Sequence, residues 1–178
     1  MAKTTTYTTA QLNAAKRVIK SAERYHLNRP QIHGAWSEDG KQCFMDGFRC
    51  FRLFDALPLD QVLTTEPGDR DLRVSRFIDA AHEANHERLI LPTLKYVKDY
   101  IKDVKATRRE QALTLSAPIP YDFGDDLPLV NAQYLVDMLE LIPDAKQAWL
   151  DPDHPTTCPI YISTGIGEAI LMPIRKPC

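Results

Sequence analysis

The sequence predicts an α+β fold, with helices packed on one face of antiparallel sheet. Three observations predict it. Three segments carry apolar residues at helical spacing. Short runs rich in β-branched and aromatic residues lie between them, divided by turn signals such as Asp39-Gly40. The first and last thirds share one order, a helix followed by three antiparallel strands, which reads as a diverged structural repeat.

The first helix is expected from about Thr9 to Arg24, capped by Thr8 or Thr9. Leu12, Ala15, Val18, Ile19 and Ala22 form its apolar stripe, and Lys16, Arg17, Lys20 and Arg24 lie off that stripe. The runs QIHGAWS, KQCFM and FRCFRLF follow as strands of a small meander. Asp39-Gly40 supplies the positive φ of the first hairpin turn, and Asp46-Gly47 marks the second. Residues 58–87 read as an excursion, loop-like at first and then helix or irregular chain over RVSRFIDAAHEANHER. RLIL is a short strand ending at Pro92. The second helix covers 93–106, with Thr93 as cap and Leu94, Val97, Ile101 and Val104 in register. QALTLSA is expected as a strand and PIPYDFGDDLP as a loop. The third helix, 131–142, stops at Pro143 and carries no lysine or arginine. KQAWL, CPIYIS and EAILMPI complete the chain as strands, with STGIG as the turn between the last two. The expected organisation is one compact domain over 1–178: a helix-plus-meander unit (5–57), the excursion (58–87), a middle unit (88–127) and a C-terminal unit (128–175).

The chain has 178 residues, 44% of them apolar and 26% charged, which fits a globule able to bury a core without staples. Cys43, Cys50, Cys158 and Cys178 show no CxxC spacing, so a disulfide framework and a cysteine-type zinc site are not expected, and a reducing, cytoplasmic setting is. The start of the chain has no apolar signal-like region, and no apolar run approaches the roughly 20 residues of a membrane span. A net charge of −2 means that any nucleic-acid contact must come from positive charge gathered on one face. The second helix offers such a face. Lys95, Lys98, Lys102 and Lys105 recur at its spacing beside the apolar stripe, extended by Arg108 and Arg109. That stripe suits the phosphate backbone rather than bases. The plain reading is a solvated helix face, diluted by Asp99 and Asp103.

HEANH is a rival signal. On a helix, His82 and His86 would stand one turn apart and share a zinc, with Glu83 as general base. The third ligand would have to be a distant carboxylate or His154. Asp79, Asn85, Glu87 and Arg88 make the surroundings more polar than a helix buried behind a metal, so a chance match on a charged surface helix is the plain reading. The chain holds no GxxxxGK[ST], GxGxxG or GxSxG motif.

YTTAQLNAAKRVIKSAE and the hairpin leading to Asp46-Gly47-Phe48-Arg49, RLILPTLKYVKDYIKDV, and the closing LVNAQYLVDMLELI, CPIYIS and EAILMPIR together resemble the bacterial sliding clamp family, the beta subunit of the replicative DNA polymerase. The resemblance covers about three quarters of the chain. It rests on the order and spacing of motifs, with DGxR weak alone and MPxR stronger. The chain departs from the family in being shorter than a three-domain clamp and in lacking a counterpart for 63–87. Met45 stands for a threonine, Phe48 for a histidine and Ile174 for a methionine.

The resemblance implies a non-enzymatic scaffold without a cofactor, built of repeated helix-plus-strand units, that binds peptides of polymerases or repair proteins and duplex DNA of any sequence. A ring would need several copies of the chain. One side of the implied peptide pocket is Met45, Gly47, Phe48, Arg49 and Cys50. The other is Asn131, Tyr134, Pro159, Met172, Pro173, Ile174 and Arg175, with Arg49 or Arg175 bonding peptide carbonyls at the rim. The implied DNA face is the cations of the first two helices. A monomeric adaptor or decoy that keeps the fold and loses the ring is the alternative within the resemblance, and the zinc peptidase is the alternative outside it.

Overall fold

The computed structural model describes residues 7–59 and 73–175; residue 178 and the greater part of the excursion's loop lie outside the described residues. The fold is α+β. Helix α1 (Thr9–Tyr25) is entered through a capping box in which Thr8 and Gln11 satisfy each other's backbone N–H groups. A single 3-10 turn (Pro30–Ile32) leads to the meander β1 (Trp36–Glu38), β2 (Lys41–Met45) and β3 (Arg49–Leu53). Helix α2 (Val74–Ala84), strand β4 (Glu87–Ile90) and helix α3 (Leu94–Glu110) follow, with the Thr93 hydroxyl accepting from Tyr96 N–H. A small β5–β6 pair (Pro120–Asp122, Leu129–Asn131) precedes helix α4 (Ala132–Leu141). Strands β7 (Gln147–Leu150), β8 (Ile160–Ser163) and β9 (Gly167–Leu171) end the chain.

Seven strands form one antiparallel sheet in the order β1-β2-β3-β9-β8-β7-β4. The helix–three-strand order thus occurs twice, in α1-β1-β2-β3 and α4-β7-β8-β9, and the two copies meet edge to edge at β3 and β9. In that central pair Arg49 faces Leu171 and Leu53 faces Gly167. Helices α1 and α4 pack together, and α3 packs on α4, over one face of the sheet. The strand alternation sorts side chains to the two faces. Phe44, Phe51, Leu53, Ile160, Ile162, Ala169 and Leu171 join the core beneath these helices, where Phe44 and Phe51 stack at 5.1 Å.

The opposite face is not bare. Val74, Ile78 and Ala81 of α2 pack there on Cys43, Met45, Cys50, Tyr161 and Ile170. The expectation of helices on one face is corrected accordingly: β3 is buried along both faces because helices cover both. The α2 N-terminus is seated by Glu38, whose carboxylate accepts from Val74 N–H and Ser75 N–H, each at 2.9 Å, and from Trp36 Nε1 at 2.7 Å. Those hydrogen bonds outweigh partial burial and lower the Glu38 pKa. Two local expectations also fail. QALTLSA forms no strand, because α3 continues to Glu110 and Leu113 and Leu115 lie exposed beyond it. The loop PIPYDFGDDLP instead supplies β5, which pairs Pro120 with Asn131.

Candidate functional site

The Asp46–Arg49 turn is built before any partner is considered. Gly47 has φ +84°, and a Cβ there would stand 2.8 Å from His26 Nε2, so both backbone and space require glycine. Asp46 Oδ1 accepts from Phe48 N–H and Arg49 N–H, each at 3.0 Å. Its Oδ2 accepts from Arg49 Nε at 3.0 Å. Arg49 is 2% exposed, and its Nη1 donates to Asp137 of α4. Asp137 also accepts from Arg17 Nε at 2.7 Å and from Gln133 Nε2 at 3.2 Å. Glu140, one turn on, accepts from Arg17 and pairs with Lys98 Nζ at 2.6 Å. A chain of six charges therefore runs from the β2–β3 turn through α4 to α1 and α3. Burying Asp137 and Glu140 is possible only because each is paired.

Tyr134 stands at the junction. The Arg49 guanidinium lies 4.2 Å from its ring centroid, and the Phe48 ring packs at 5.7 Å. Phe48 also meets His26 at 6.0 Å while remaining 40% exposed. Burial first, then the Asp46 carboxylate, raises the Tyr134 hydroxyl pKa. The closing residues arrive beside this cluster. Met172 N–H donates to Phe48 C=O at 2.8 Å, extending the β3–β9 ladder by one bond. Ile174 N–H then donates to Leu129 C=O at 2.7 Å, bridging the tail to β6. The run Met172–Arg175 is thus a fixed extension of the sheet, with Met172 exposed, Pro173 and Ile174 half-buried and Arg175 exposed. Asn131 caps α4 by accepting from Gln133 N–H at 3.0 Å. A cleft of about 400 Å³ opens beside Tyr134 between α1, α3 and the 115–119 segment, bordered by Arg17, Arg49, Lys105, Asn131 and Asp137. Ser21 also borders it, and its hydroxyl is buried without a hydrogen-bond partner.

The residues of the implied pocket divide. Gly47, Phe48, Arg49, Asn131, Tyr134, Met172, Pro173 and Ile174 come together, though Arg49 is buried in ion pairs and not set at a rim. Pro159 lies at the same end of the sheet, since Ile160 faces Leu171, but its carbonyl is held by Asn85 Nδ2 at 2.7 Å. Met45 and Cys50 point the other way, into the core under α2. Burial raises the Cys50 thiol, and the nearby Asp46 carboxylate adds to it. His26 and Ser21, which sequence reasoning did not single out, also line this region; a lone histidine after a helix and a serine within one carry no pattern that marks them.

The cations divide too. Lys16, Lys20 and Arg24 on α1 and Lys95, Lys102 and Arg109 on α3 are exposed. Lys105 is half-buried at the cleft. Arg17 and Lys98 are engaged with Asp137 and Glu140, and Arg108 donates to the carbonyls of Ala117 and Pro118 at 2.6 and 3.0 Å.

HEANH does not form the one-turn pair that the zinc reading needs. α2 ends at Ala84, Asn85 is extended with ψ 109°, and His86 N–H donates to Leu150 C=O as the chain enters β4. His82 packs edge-on against Tyr161 at 5.2 Å, and Glu83 is exposed. Both histidines border a shallow depression with Trp149 and Tyr161. The helical spacing that a shared zinc requires is therefore absent. No helix among the described residues is long and apolar enough to cross a membrane. No protein-family model, curated protein or solved structure matches the chain.

Proposed function

We propose that this chain is a sliding-clamp-like scaffold that receives an extended partner peptide where Phe48, Tyr134 and Met172 converge. The observation that carries this reading is the Phe48 C=O to Met172 N–H bond at 2.8 Å. It joins, as neighbours in one sheet, the DGFR and MPIR stretches of the peptide pocket that the clamp resemblance implies. The recurrence of helix and three strands about the β3–β9 pair supports the same reading. The chemistry suits the ligand class. Phe48 and Met172 offer exposed apolar contact, Tyr134 adds a ring with a polar tip, and the adjoining cleft has room for a side chain. The exposed cations of α1 and α3 form the surface for duplex phosphates.

The test is a fluorescence-anisotropy titration with a labelled clamp-binding peptide. Saturable binding is expected, with Phe48→Ala weakening it by about tenfold or more and Met172→Ala/Arg175→Ala abolishing it. No binding at high micromolar protein refutes the peptide role. A second reading, a monomeric adaptor or decoy without DNA encirclement, is favoured by one observation. Arg17, Lys98 and Arg108 are held within the chain and leave a thinner positive surface than the sequence promised. Light scattering after gel filtration separates the two: a closed multimer supports the ring, and a monomer at high concentration supports the adaptor. DNA affinity that falls with salt, and falls again in Lys95→Glu/Lys102→Glu, supports the phosphate surface; each phosphate contact contributes about 0.9 to the logarithmic salt slope.

A further inference from the structure

The nine residues between β7 and β8, Asp-Pro-Asp-His-Pro-Thr-Thr-Cys-Pro, belong, apart from Pro159, to neither the peptide surface nor the cation surface. Their backbone is tied down at both ends and within. Asn85, 5% exposed at the end of α2, donates from one amide nitrogen to Trp149 C=O at 2.9 Å and to Pro159 C=O at 2.7 Å, clasping the two roots of the loop. Asp151 Oδ1 accepts from Asp153 N–H at 2.9 Å, which leaves Oδ2 directed at His154 Nδ1, 3.6 Å away. His154 C=O accepts from Thr157 N–H and Cys158 N–H at 3.2 and 3.0 Å, folding the cysteine back over the histidine. One carboxylate oxygen, one imidazole nitrogen and one sulfur consequently lie within 4.8 Å of one another.

We propose that Asp151, His154 and Cys158 form a binding site for a zinc-class divalent cation, held by one carboxylate oxygen, one imidazole nitrogen and one thiolate, with the fourth tetrahedral position open to water. Ligand bonds of about 2.0–2.3 Å in a tetrahedron set the ligands about 3.3–3.8 Å apart. The Asp151–His154 separation already falls in that range, and the sulfur stands within 4.8 Å of both ligand atoms. The donor set selects the metal. Thiolate and imidazole are poor ligands for magnesium and calcium and good ones for zinc, cobalt and their neighbours. Charge balances as well: one carboxylate and one thiolate neutralise a dication, and binding releases the thiol proton to solvent. His154 is 66% exposed, which leaves access for the ion and for water. The spacing Asp-x-x-His-x-x-x-Cys is unlike the paired-cysteine patterns by which zinc sites are found in sequences.

This site stands apart from HEANH and from the clamp reading, and it can fail without either. The test uses the full chain, stripped with a chelator and titrated with cobalt(II), then back-titrated with zinc. One equivalent of cobalt is expected to give a thiolate-to-cobalt charge-transfer band and tetrahedral d–d bands that zinc abolishes. Replacing a group that merely orients a ligand weakens binding by about 10–100-fold. Cys158→Ala should therefore remove the charge-transfer band, and His154→Ala should weaken binding by about a hundredfold or more. Cys178→Ser and His82→Ala/His86→Ala should leave the titration unchanged. Absence of the band at high micromolar cobalt overturns the proposal. So does a band that survives Cys158→Ala, or an affinity untouched by His154→Ala. The loop is at the surface, and an unchanged circular dichroism spectrum for each variant separates loss of the site from loss of the fold.

Discussion

Asp137→Ala is expected to be the most damaging single change in the ion-pair chain. Arg49 and Asp137 are 3% and 1% exposed as side chains, so removing the carboxylate leaves a buried guanidinium with Asp46 as its remaining anion. Breaking a buried pair from one side costs about 3–5 kcal/mol. The second arm, Arg17 to Asp137, is 42% exposed at the arginine and adds at most about 1 kcal/mol. Lys98→Ala is the control, because its pair with Glu140 is half exposed and is worth about 1 kcal/mol or less. Urea unfolding at neutral pH reads the difference. With a slope of about 1–3 kcal/mol per molar for a domain of this kind, Asp137→Ala should lower the midpoint by about 2 M and Lys98→Ala by less than about 0.5 M. The slope itself should be unchanged. If Asp137→Ala costs less than about 1 kcal/mol, or no more than Lys98→Ala, the claim that this network holds α4 to the sheet is refuted.

Gly47→Ala should destabilise by about 1–3 kcal/mol, since it forces a positive φ on alanine and drives a Cβ onto the His26 ring. Gly40→Ala, with the same backbone need but open space around it, should cost less; equal losses, with unshifted His26 ring resonances, would remove the steric part of the argument. Glu38→Gln should cost about 1–2 kcal/mol at pH 7 through its hydrogen bonds to Trp36 and the α2 N-terminus. Because the folded-state pKa of Glu38 is depressed, that stability is complete above the ordinary carboxylate range and is lost as pH falls through the folded value. The wild-type advantage over the variant should accordingly shrink on acidification, and a gap that widens would contradict the assignment. Among the described thiols Cys158 should react first with a disulfide reagent. Burial pushes Cys43 up to about 12 and Cys50 higher still, so peptide mapping that finds either labelled as fast as Cys158 would refute their burial.

The three longest-range periodic signals were the most legible. α1, α3 and α4 lie where capping threonines, apolar spacing and Pro143 put them, apart from the extension of α3 to Glu110, because those elements are specified by residues within a few turns. The meander was legible through Asp39-Gly40 and Asp46-Gly47 for the same reason. The α2 layer was not. Its apolar stripe, Val74, Ile78 and Ala81, is short, and what makes it a helix against the sheet is Glu38 reaching it from β1. The candidate site was half legible. The motif residues Phe48, Tyr134 and Met172 do converge, but a sequence does not say which face of a strand a residue takes once both faces are covered. Met45 and Cys50 fell to the α2 side on that account. The engagement of two of the cations was hidden in the same way. Lys98 and Arg17 look free until Asp137 and Glu140 of another helix are placed beside them.

The meeting of the two helix–three-strand copies at β3 and β9 has a consequence for how the chain is made. The middle of the sheet pairs Arg49–Leu53 with Gly167–Leu171, from opposite ends of the sequence. During synthesis α1 and its meander emerge before β9, with β3 as an unprotected outer strand whose two faces are both buried in the finished fold. Its permanent neighbour, β9, is translated after all the other described strands. Long-separated strand pairing of this kind is slow and leaves a sticky intermediate. Nascent chains stalled before Gly167 should therefore be the ones that call on chaperones. Delivery of β9, and not helix formation, should be the step that closes the sheet.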